Sequence, residues 1–306
     1  IARRALFAAG LAPQGLAAVA ERAHRDGSPL GVTPARLRER LAWIAEEHGV
    51  AIPVDSPRAA ILLTLSSIEV MKYPESVAAM ARILARSPDP WTVSTSGYEA
   101  TNFGMLAGAV DWQREATVKL ADAAKACGAS LVLVPECGHA YSALRWQGAA
   151  MAGSDLPFRV LHFSEYLAQR IDAGALPMKA APGTVTFHDP CQVSRRGGAT
   201  AAPRTVLAAL GLEERPPEDA GDLGACCGGG GGVSANPRAD ALRYRVTRMR
   251  IRQLEAPAAH RIVTSCANCR QSFDDEAAHA GRERQVGSLV ELAASRLLPA
   301  AGTPCP

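Results

Sequence analysis

Five cysteines, Cys191, Cys226, Cys227, Cys266 and Cys269, fall in one third of a 306-residue chain that holds eight cysteines in all. Their spacing is C-x34-CC-x38-C-x2-C, and a run of five glycines, Gly228 to Gly232, follows the adjacent pair. Thiolates are soft ligands suited to zinc, copper(I) or iron–sulfur clusters. Structural zinc takes four ligands in a tetrahedron, and Cys-x-x-Cys is a common zinc element. Five sulfurs exceed that number, and an adjacent Cys-Cys pair turns both sulfurs toward one small ion only with strain. A multi-iron cluster accommodates both. The ligand arithmetic therefore favours an iron–sulfur cluster, with zinc as the alternative and a disulfide or inert thiols behind it.

The elements that carry these cysteines follow an alternating pattern. Thr184-Val185-Thr186-Phe187-His188 reads as a strand leading straight into Asp189-Pro190-Cys191. Arg261-Ile262-Val263-Thr264 reads as another strand, just before Cys266, and Cys226-Cys227 opens a glycine loop before a long helix at 239–254. Ligands of open α/β sheets gather at the carboxyl ends of strands, so elements 35–40 residues apart can converge on one crevice. Gly228, Gly229 and Gly230 would let backbone approach a bulky cluster and aim N–H groups at its sulfides. No Lys-Ser or Lys-Thr follows the glycines, so a phosphate-binding P-loop is rejected.

Upstream the same alternation appears. Apolar runs at 60–65, 91–94, 131–134 and 158–162 read as buried parallel strands, separated by helical sequence at 76–85, 111–126 and 165–171. The two cycles look like copies. Val134-Pro135-Glu136-Cys137-Gly138-His139 stands where Val263-Thr264-Ser265-Cys266-Ala267-Asn268 stands in the second. Ala100 to Cys137 is 37 positions against 39 from Cys227 to Cys266, and Ser67 to Glu99 is 32 against 35 from Cys191 to Cys226. Thus Gly97-Tyr98-Glu99-Ala100 occupies the place of the Cys-Cys-Gly loop, and of the expected ligands the first copy keeps only Cys137. The fold expected is α/β, two tandem Rossmann-like repeats with parallel sheets preceded by a short helical segment. Residues 1–54 are the helical segment, 55–175 the degenerate repeat and 176–306 the complete one, with the boundary at the Pro177–Pro182 stretch. In the helical segment Thr33-Pro34 looks like an N-cap followed by proline at the first helical position.

Cys191, Cys226-Cys227-Gly228 and Cys266-Ala267-Asn268-Cys269 together resemble the cysteine-rich CCG domain of the B and D subunits of heterodisulfide reductase and related iron–sulfur oxidoreductases. The phrases at 97–104, 135–141 and 188–192 are most similar to the branch containing the K subunit of the membrane complex associated with dissimilatory sulfite reductase. The resemblance implies a non-cubane [4Fe–4S] cluster on the five cysteines, at which a disulfide, heterodisulfide or trisulfide is reduced. An electron-transfer subunit of a 2-hydroxy-acid oxidation complex, acting on glycolate or lactate, is the alternative. Such proteins often carry an N-terminal ferredoxin-like domain with further [4Fe–4S] clusters. The chain begins with Ile1, and residues 1–54 are expected to follow such a domain, missing from this sequence. The partners implied are other subunits of a redox complex, a membrane subunit among them, and a small thiol or disulfide substrate or a sulfur-carrier protein. On this reading His188 and Asp189 lie at the mouth of the cluster and donate a proton to a leaving thiolate. Glu99, Cys137 and His139 line the same cleft from the first repeat.

Other residues carry blander expectations. Cys127 ends a helix and reads as core; Cys305 sits in a terminal tail. Arg195 and Arg196 suit either a solvated loop or a carboxylate partner. Arg243, Arg245, Arg248, Arg250 and Arg252 read as an exposed basic helix face. A net charge of +3 does not advertise nucleic-acid binding. No apolar run reaches the ~20 residues of a membrane helix, and clustered cysteines without a secretory signal suit a reducing cytoplasm. The expected location is cytoplasmic, peripheral to the inner membrane through a partner subunit.

Overall fold

The computed structural model describes residues 1–283 and 286–298; Cys305 and the rest of the tail lie outside them. The chain opens with α1 (Ala2–Ala8), α2 (Gln14–Asp26) and α3 (Pro34–His48). Thr33 caps α3 by accepting from the Arg36 N–H, Pro34 sits where its missing N–H costs nothing, and Leu37, Leu41 and Ile44 form the buried stripe.

The first sheet unit runs β1 (Ile61–Leu63), α4 (Ser67–Lys72), α5 (Pro74–Leu84), β2 (Trp91–Thr92), α6 (Phe103–Ala107), α7 (Val110–Cys127), β3 (Leu131–Val134), α8 (Gly138–Arg145), α9 (Gly148–Ala152), β4 (Arg159–His162) and α10 (Phe163–Asp172). The second runs β5 (Gly183–His188), α11 (Ala201–Ala209), β6 (Leu212–Glu214), α12 (Asp240–Glu255), β7 (Arg261–Thr264), α13 (Ala267–His279), β8 (Val286–Ser288) and α14 (Leu289–Ala294). Each unit builds a four-stranded parallel sheet, in the orders β2-β1-β3-β4 and β6-β5-β7-β8. The second order is the first one repeated, so the duplication read from the spacings is present in the topology.

β1 and β3 are buried throughout, which is why they read as continuous apolar runs and not as alternations. The acidic segment after α11 opens with the edge strand β6. Its Leu-Glu-Glu sequence carries no apolar run because it lies at the sheet edge, half exposed. Cys127 is buried and donates its thiol to the Ala124 carbonyl at 3.4 Å, as a core cysteine does.

The two units interlock instead of lying side by side. α14 packs on α5 of the first unit and α10 packs on α11 of the second, each unit thus lending its last helix to the other. One apolar core runs through Val77, Leu84, Leu167, Phe187, Val206 and Leu289 of both units. Tyr73 donates to Asp274 at 2.7 Å, and Arg270 pairs with Glu291 at 2.6 Å and with Glu75 at 3.4 Å across the same seam. This exchange fixes the carboxyl ends of the two sheets against each other.

Candidate metal centre

Each cysteine is set by a local device. β5 delivers the chain to Pro190, whose carbonyl accepts from the Val193 and Ser194 N–H groups at 2.9 Å and turns the chain at Cys191. Asp189, expected at the cluster's mouth, is instead 1% exposed and fully engaged. Its carboxylate is bracketed by Arg204, with one contact of 2.8 Å and a shorter one, and accepts from the Gly221 N–H at 2.7 Å. Arg195 donates to the carbonyls of Asp222 at 2.9 Å and Gly224 at 2.6 Å. These two side chains clamp the loop leading to Cys226, which settles Arg195 as a loop-fixing group.

Cys226 and Cys227 are followed by Gly228 in the left-handed region at φ 88. A Cβ there would meet the Thr247 hydroxyl at 2.9 Å, and Thr247 donates to the Cys227 carbonyl at 2.7 Å, so the loop lies directly on α12. Gly229 abuts Ser272 of α13, and a Cβ on Gly230 would stand 2.8 Å from His139 Nε2 of the other unit. The Gly228 N–H donates to Cys226 Sγ at 3.3 Å, a backbone-to-sulfur bond of the kind expected from the glycine run. Cys266 is the N-cap of α13, with Cys269 one turn on, so both sulfurs sit at a positive helix end.

Cys227, Cys266 and Cys269 are buried, while Cys191 and Cys226 are half-buried. Cys226 is pulled down to about 2 by hydrogen bonds from the Cys191 and Cys227 thiols, against its burial. Cys191 is pushed far up, chiefly by that same contact. The Cys269 contact, with help from the Gly138, Cys269 and Asn268 amides, brings Cys266 down to about 7 despite burial. The opposed shifts arise because these thiols lie within hydrogen-bonding contact of one another.

His188 is fully buried beneath this set. Its Nδ1 accepts from Arg250 Nε at 3.2 Å, and its ring stands edge-on to Phe273 with centroids 5.0 Å apart. A ring nitrogen lies within 4.8 Å of both the Cys227 and Cys269 sulfurs. His188 Nε2 has no partner, nor do His139 Nδ1 and Ser265 Oγ. Burial and Arg250 push the imidazole down to about 3, against the pull of Asp189 and Cys226. His188 is thus a buried neutral group below the thiols, not an acid at their mouth.

The expected basic face of α12 is corrected in part: Arg245 and Arg252 are exposed and Arg248 is partly so, but two of the five arginines turn inward. Arg243 and Arg250 are buried, at 7% and 0% exposure. Arg250 also donates to the Asp219 carbonyl at 3.0 Å and to Gln253 at 3.2 Å, while Arg243 pairs with Asp275 at 3.1 Å. A sequence signal existed: Arg243, Thr247, Arg250, Ile251 and Leu254 fall on one helical stripe, the buried one.

The first unit faces the thiols. Cys137 is the N-cap of α8, as Cys266 is of α13, and the two loops touch through Ala267 N–H to the Glu136 carbonyl at 2.6 Å. Cys137 is pushed well above the usual thiol range by burial and by the Cys266 and Glu99 charges. The Glu99 carboxylate accepts from the Ser67 N–H at 2.7 Å, from the Thr101 N–H at 3.1 Å, and from the Thr101 hydroxyl in a short contact. Burial raises it against those bonds. Thr101 Oγ1 lies 3.9 Å from Cys137 Sγ. His139 Nε2 accepts from the Gly231 N–H at 3.4 Å, and burial lowers that imidazole. Thr101 is an addition that spacing did not single out, whereas Ser67 stands where the spacing set it against Cys191.

Between the units runs a narrow cleft of about 460 Å³ counting its open mouth, of which only about 30 Å³ admits the centre of a water molecule. Cys137, His139, Thr101, Ile68, Phe103 and the Gly229–Gly232 loop line it. The residues present fit an iron–sulfur cluster: five thiols in contact, backbone N–H groups on two of the sulfurs, and a buried imidazole beside Cys227 and Cys269 that keeps one nitrogen without a partner.

Fold and site together define a duplicated α/β protein with a cluster of five thiols at the junction of its repeats. Residues 185–274 match the family model of the cysteine-rich CCG domain. A probable membrane-anchored ferredoxin of Chromohalobacter salexigens is 34% identical over 166 residues, covering 52% of this chain and 24% of that protein. The D subunit of dihydromethanophenazine:CoB–CoM heterodisulfide reductase from Methanosarcina mazei is 31% identical over 189 residues, covering 61% of this chain and 46% of the relative. Its counterpart in Methanosarcina acetivorans is 29% identical over 266 residues, covering 85% and 63%. Residues 185–274 thus resemble the cysteine-rich CCG domain, and the chain is similar to these ferredoxin and heterodisulfide reductase proteins. It spans about half or less of the length of the first of these relatives. No described helix is long and apolar enough to cross a membrane.

Proposed function

We propose that Cys191, Cys226, Cys227, Cys266 and Cys269 hold a non-cubane [4Fe–4S] cluster, and that the protein is the catalytic subunit of a larger redox complex that reduces a sulfur–sulfur bond. The observation that carries this reading is the run of contacts that links the five thiols, Cys191 to Cys226, Cys226 to Cys227, Cys227 to Cys269 and Cys269 to Cys266, beside a cleft lined by Cys137, His139 and the glycine loop. When bound, the cluster supplies electrons one at a time and an iron that accepts sulfur. Reduction of one S–S bond consumes two electrons, from a one-electron iron–sulfur donor, and two protons, and releases two thiols. The chain's own groups supply what the electrons do not. Ile68 and Phe103 exclude water from the cleft, and the glycine-loop amides orient sulfur. Glu99, through Thr101, stands in line with Cys137 to pass a proton inward, while His139 holds the glycine loop at Gly231. The substrate is a small disulfide, heterodisulfide or trisulfide, or a sulfur-carrier protein. Other subunits of the complex supply electrons, and a membrane subunit would place the chain at the membrane surface; the membrane-anchored relative supports that arrangement.

Anaerobically purified protein should contain four irons and four acid-labile sulfides per chain, and its oxidised EPR spectrum should change when thiol is added. Zinc without sulfide would end the proposal. The narrowness of the cleft favours a second reading, an electron relay for 2-hydroxy-acid oxidation, because a relay requires no room for substrate. Turnover of a panel of disulfides with a reduced viologen dye separates the two: a relay turns over none of them.

A further inference from the structure

The pairing of Arg250 with His188 carries a consequence for the metal centre. A guanidinium nitrogen always bears hydrogen and never accepts. Arg250 Nε lies 3.2 Å from His188 Nδ1, so Nδ1 must present its lone pair, and the ring proton must sit on Nε2. Arg250 is itself fully buried and held by the Asp219 carbonyl and Gln253, so the lock is rigid. Nε2–H is buried without a partner, and the sulfurs of Cys227 and Cys269 are the metal-ligating groups grouped with the ring. Phe273 stands edge-on to the ring and offers nothing to bond. A buried N–H with no acceptor is costly, and sulfur of a bound cluster is the acceptor this environment provides.

We propose that His188, fixed by Arg250 as its Nε2–H tautomer, donates a hydrogen bond to sulfur of the cluster at Cys227 and Cys269 and so raises its reduction potential. His188 is then a positioning residue and not the proton donor. The inference rests on the cluster assigned above but not on any sulfur substrate. Hydrogen bonds to cluster sulfur withdraw charge and favour the reduced state. Loss of one charge-assisted bond is worth about a tenfold change in the reduction equilibrium, which is about 59 mV for a one-electron couple.

The test uses the loaded protein, with iron and sulfide analysed in parallel. In wild type labelled with 15N-histidine, pulsed EPR should show a weakly coupled nitrogen and an exchangeable proton that disappears in deuterated water. H188F, which keeps the ring's volume, should lose both signals and lower the potential by about the amount above. R250M, with His188 still in place, should lose the exchangeable proton and lower the potential too, whereas R250K should restore most of it. If H188F fails to assemble, H188Q carries the test, because its amide N–H can replace Nε2–H and should keep the proton signal. Unchanged potential and proton coupling in H188F or R250M would overturn the proposal, as would loss of the proton signal in an assembled H188Q. A nitrogen coupling strong enough for a direct iron bond would also overturn it, by making His188 a ligand. Wild type lacking iron and sulfide would instead defeat the cluster on which the inference rests, and metal analysis alone distinguishes that failure.

Discussion

Replacing Asp189 tests whether the residue beside the first ligand is a clamp or an acid. Its carboxylate sits at 1% exposure between Arg204 and the Gly221 N–H. Breaking a buried ion pair by removing one partner costs about 3–5 kcal/mol. Here Arg204 is 28% exposed on its side chain and keeps Glu214 at 2.7 Å, so its charge is not stranded. The loss for Asp189→Ala should therefore fall near the lower end, about 3 kcal/mol. Asp189→Asn retains one acceptor for Gly221 or Arg204 and should cost about half of that. In a chain of this size about 3 kcal/mol lowers Tm by roughly 6–12 °C. Because Gly221 belongs to the loop entering Cys226, the loosened loop should also speed iron loss to a chelator. The assay is anaerobic thermal unfolding alongside the rate of iron release. If Asp189→Asn kept Tm and iron but abolished disulfide turnover, the clamp argument would fail and Asp189 would be an acid after all.

Serine at any of Cys191, Cys226, Cys227, Cys266 or Cys269 should lower the iron content of the purified protein, whereas Cys137→Ser should leave it unchanged; iron loss in Cys137→Ser would make Cys137 a sixth ligand. Gly230→Ala puts a methyl group 2.8 Å from His139 Nε2 and should raise KM for a disulfide several-fold with iron intact, measured by steady-state kinetics. Asp55 is held below the usual carboxylate range; burial pushes it up, but the Thr95 N–H and hydroxyl and the Arg38 guanidinium outweigh that. A depressed carboxylate stabilises the fold above its unfolded pKa and loses that contribution as pH falls through its folded pKa, so Tm should drop below about pH 4. Asp55→Asn, which tolerates the φ of 52 at this position, should flatten that part of the Tm–pH curve.

The thiols and their strands were legible because metal ligation and burial both write themselves locally. A cysteine follows each ligand-bearing strand, and parallel strands buried on both faces read as apolar runs. What escaped was set by partners distant in sequence. Arg250 meets His188 across 62 positions, and Arg195 meets Gly224 across 29. An arginine on its own announces solvent; only its acceptors make it a buried one, and those are invisible until the chain closes. β6 and β8 were missed for the opposite reason: each is three residues long and takes its identity from a neighbouring strand, not from a pattern of its own. His188 and Asp189 were rightly placed beside Cys191 but wrongly turned, because adjacency in sequence does not say on which side of a strand's end a side chain is buried.

The two repeats solve one local problem in different ways, and the difference explains why the site is asymmetric. At the carboxyl end of the second sheet, three loops bring together thiols that satisfy one another only by sharing protons. In the first sheet the equivalent loops are tied by carboxyl groups. Glu99 bonds the Ser67 N–H, and Glu69 caps Ser66 and accepts from the Glu136 N–H at 3.1 Å. Glu136 in turn accepts from the Val290 N–H of the second unit at 3.1 Å. Burial raises all three carboxyls, Glu69 to about 7, against the hydrogen bonds each accepts. Side-chain hydrogen bonds thus do in the first repeat what thiols and metal would do in the second. A wall already satisfied without metal can stay in place while the opposite face binds and releases sulfur. That division of labour, a fixed carboxyl-tied half against a thiol-bearing half, gives the degenerate repeat a reason to persist after losing its ligands.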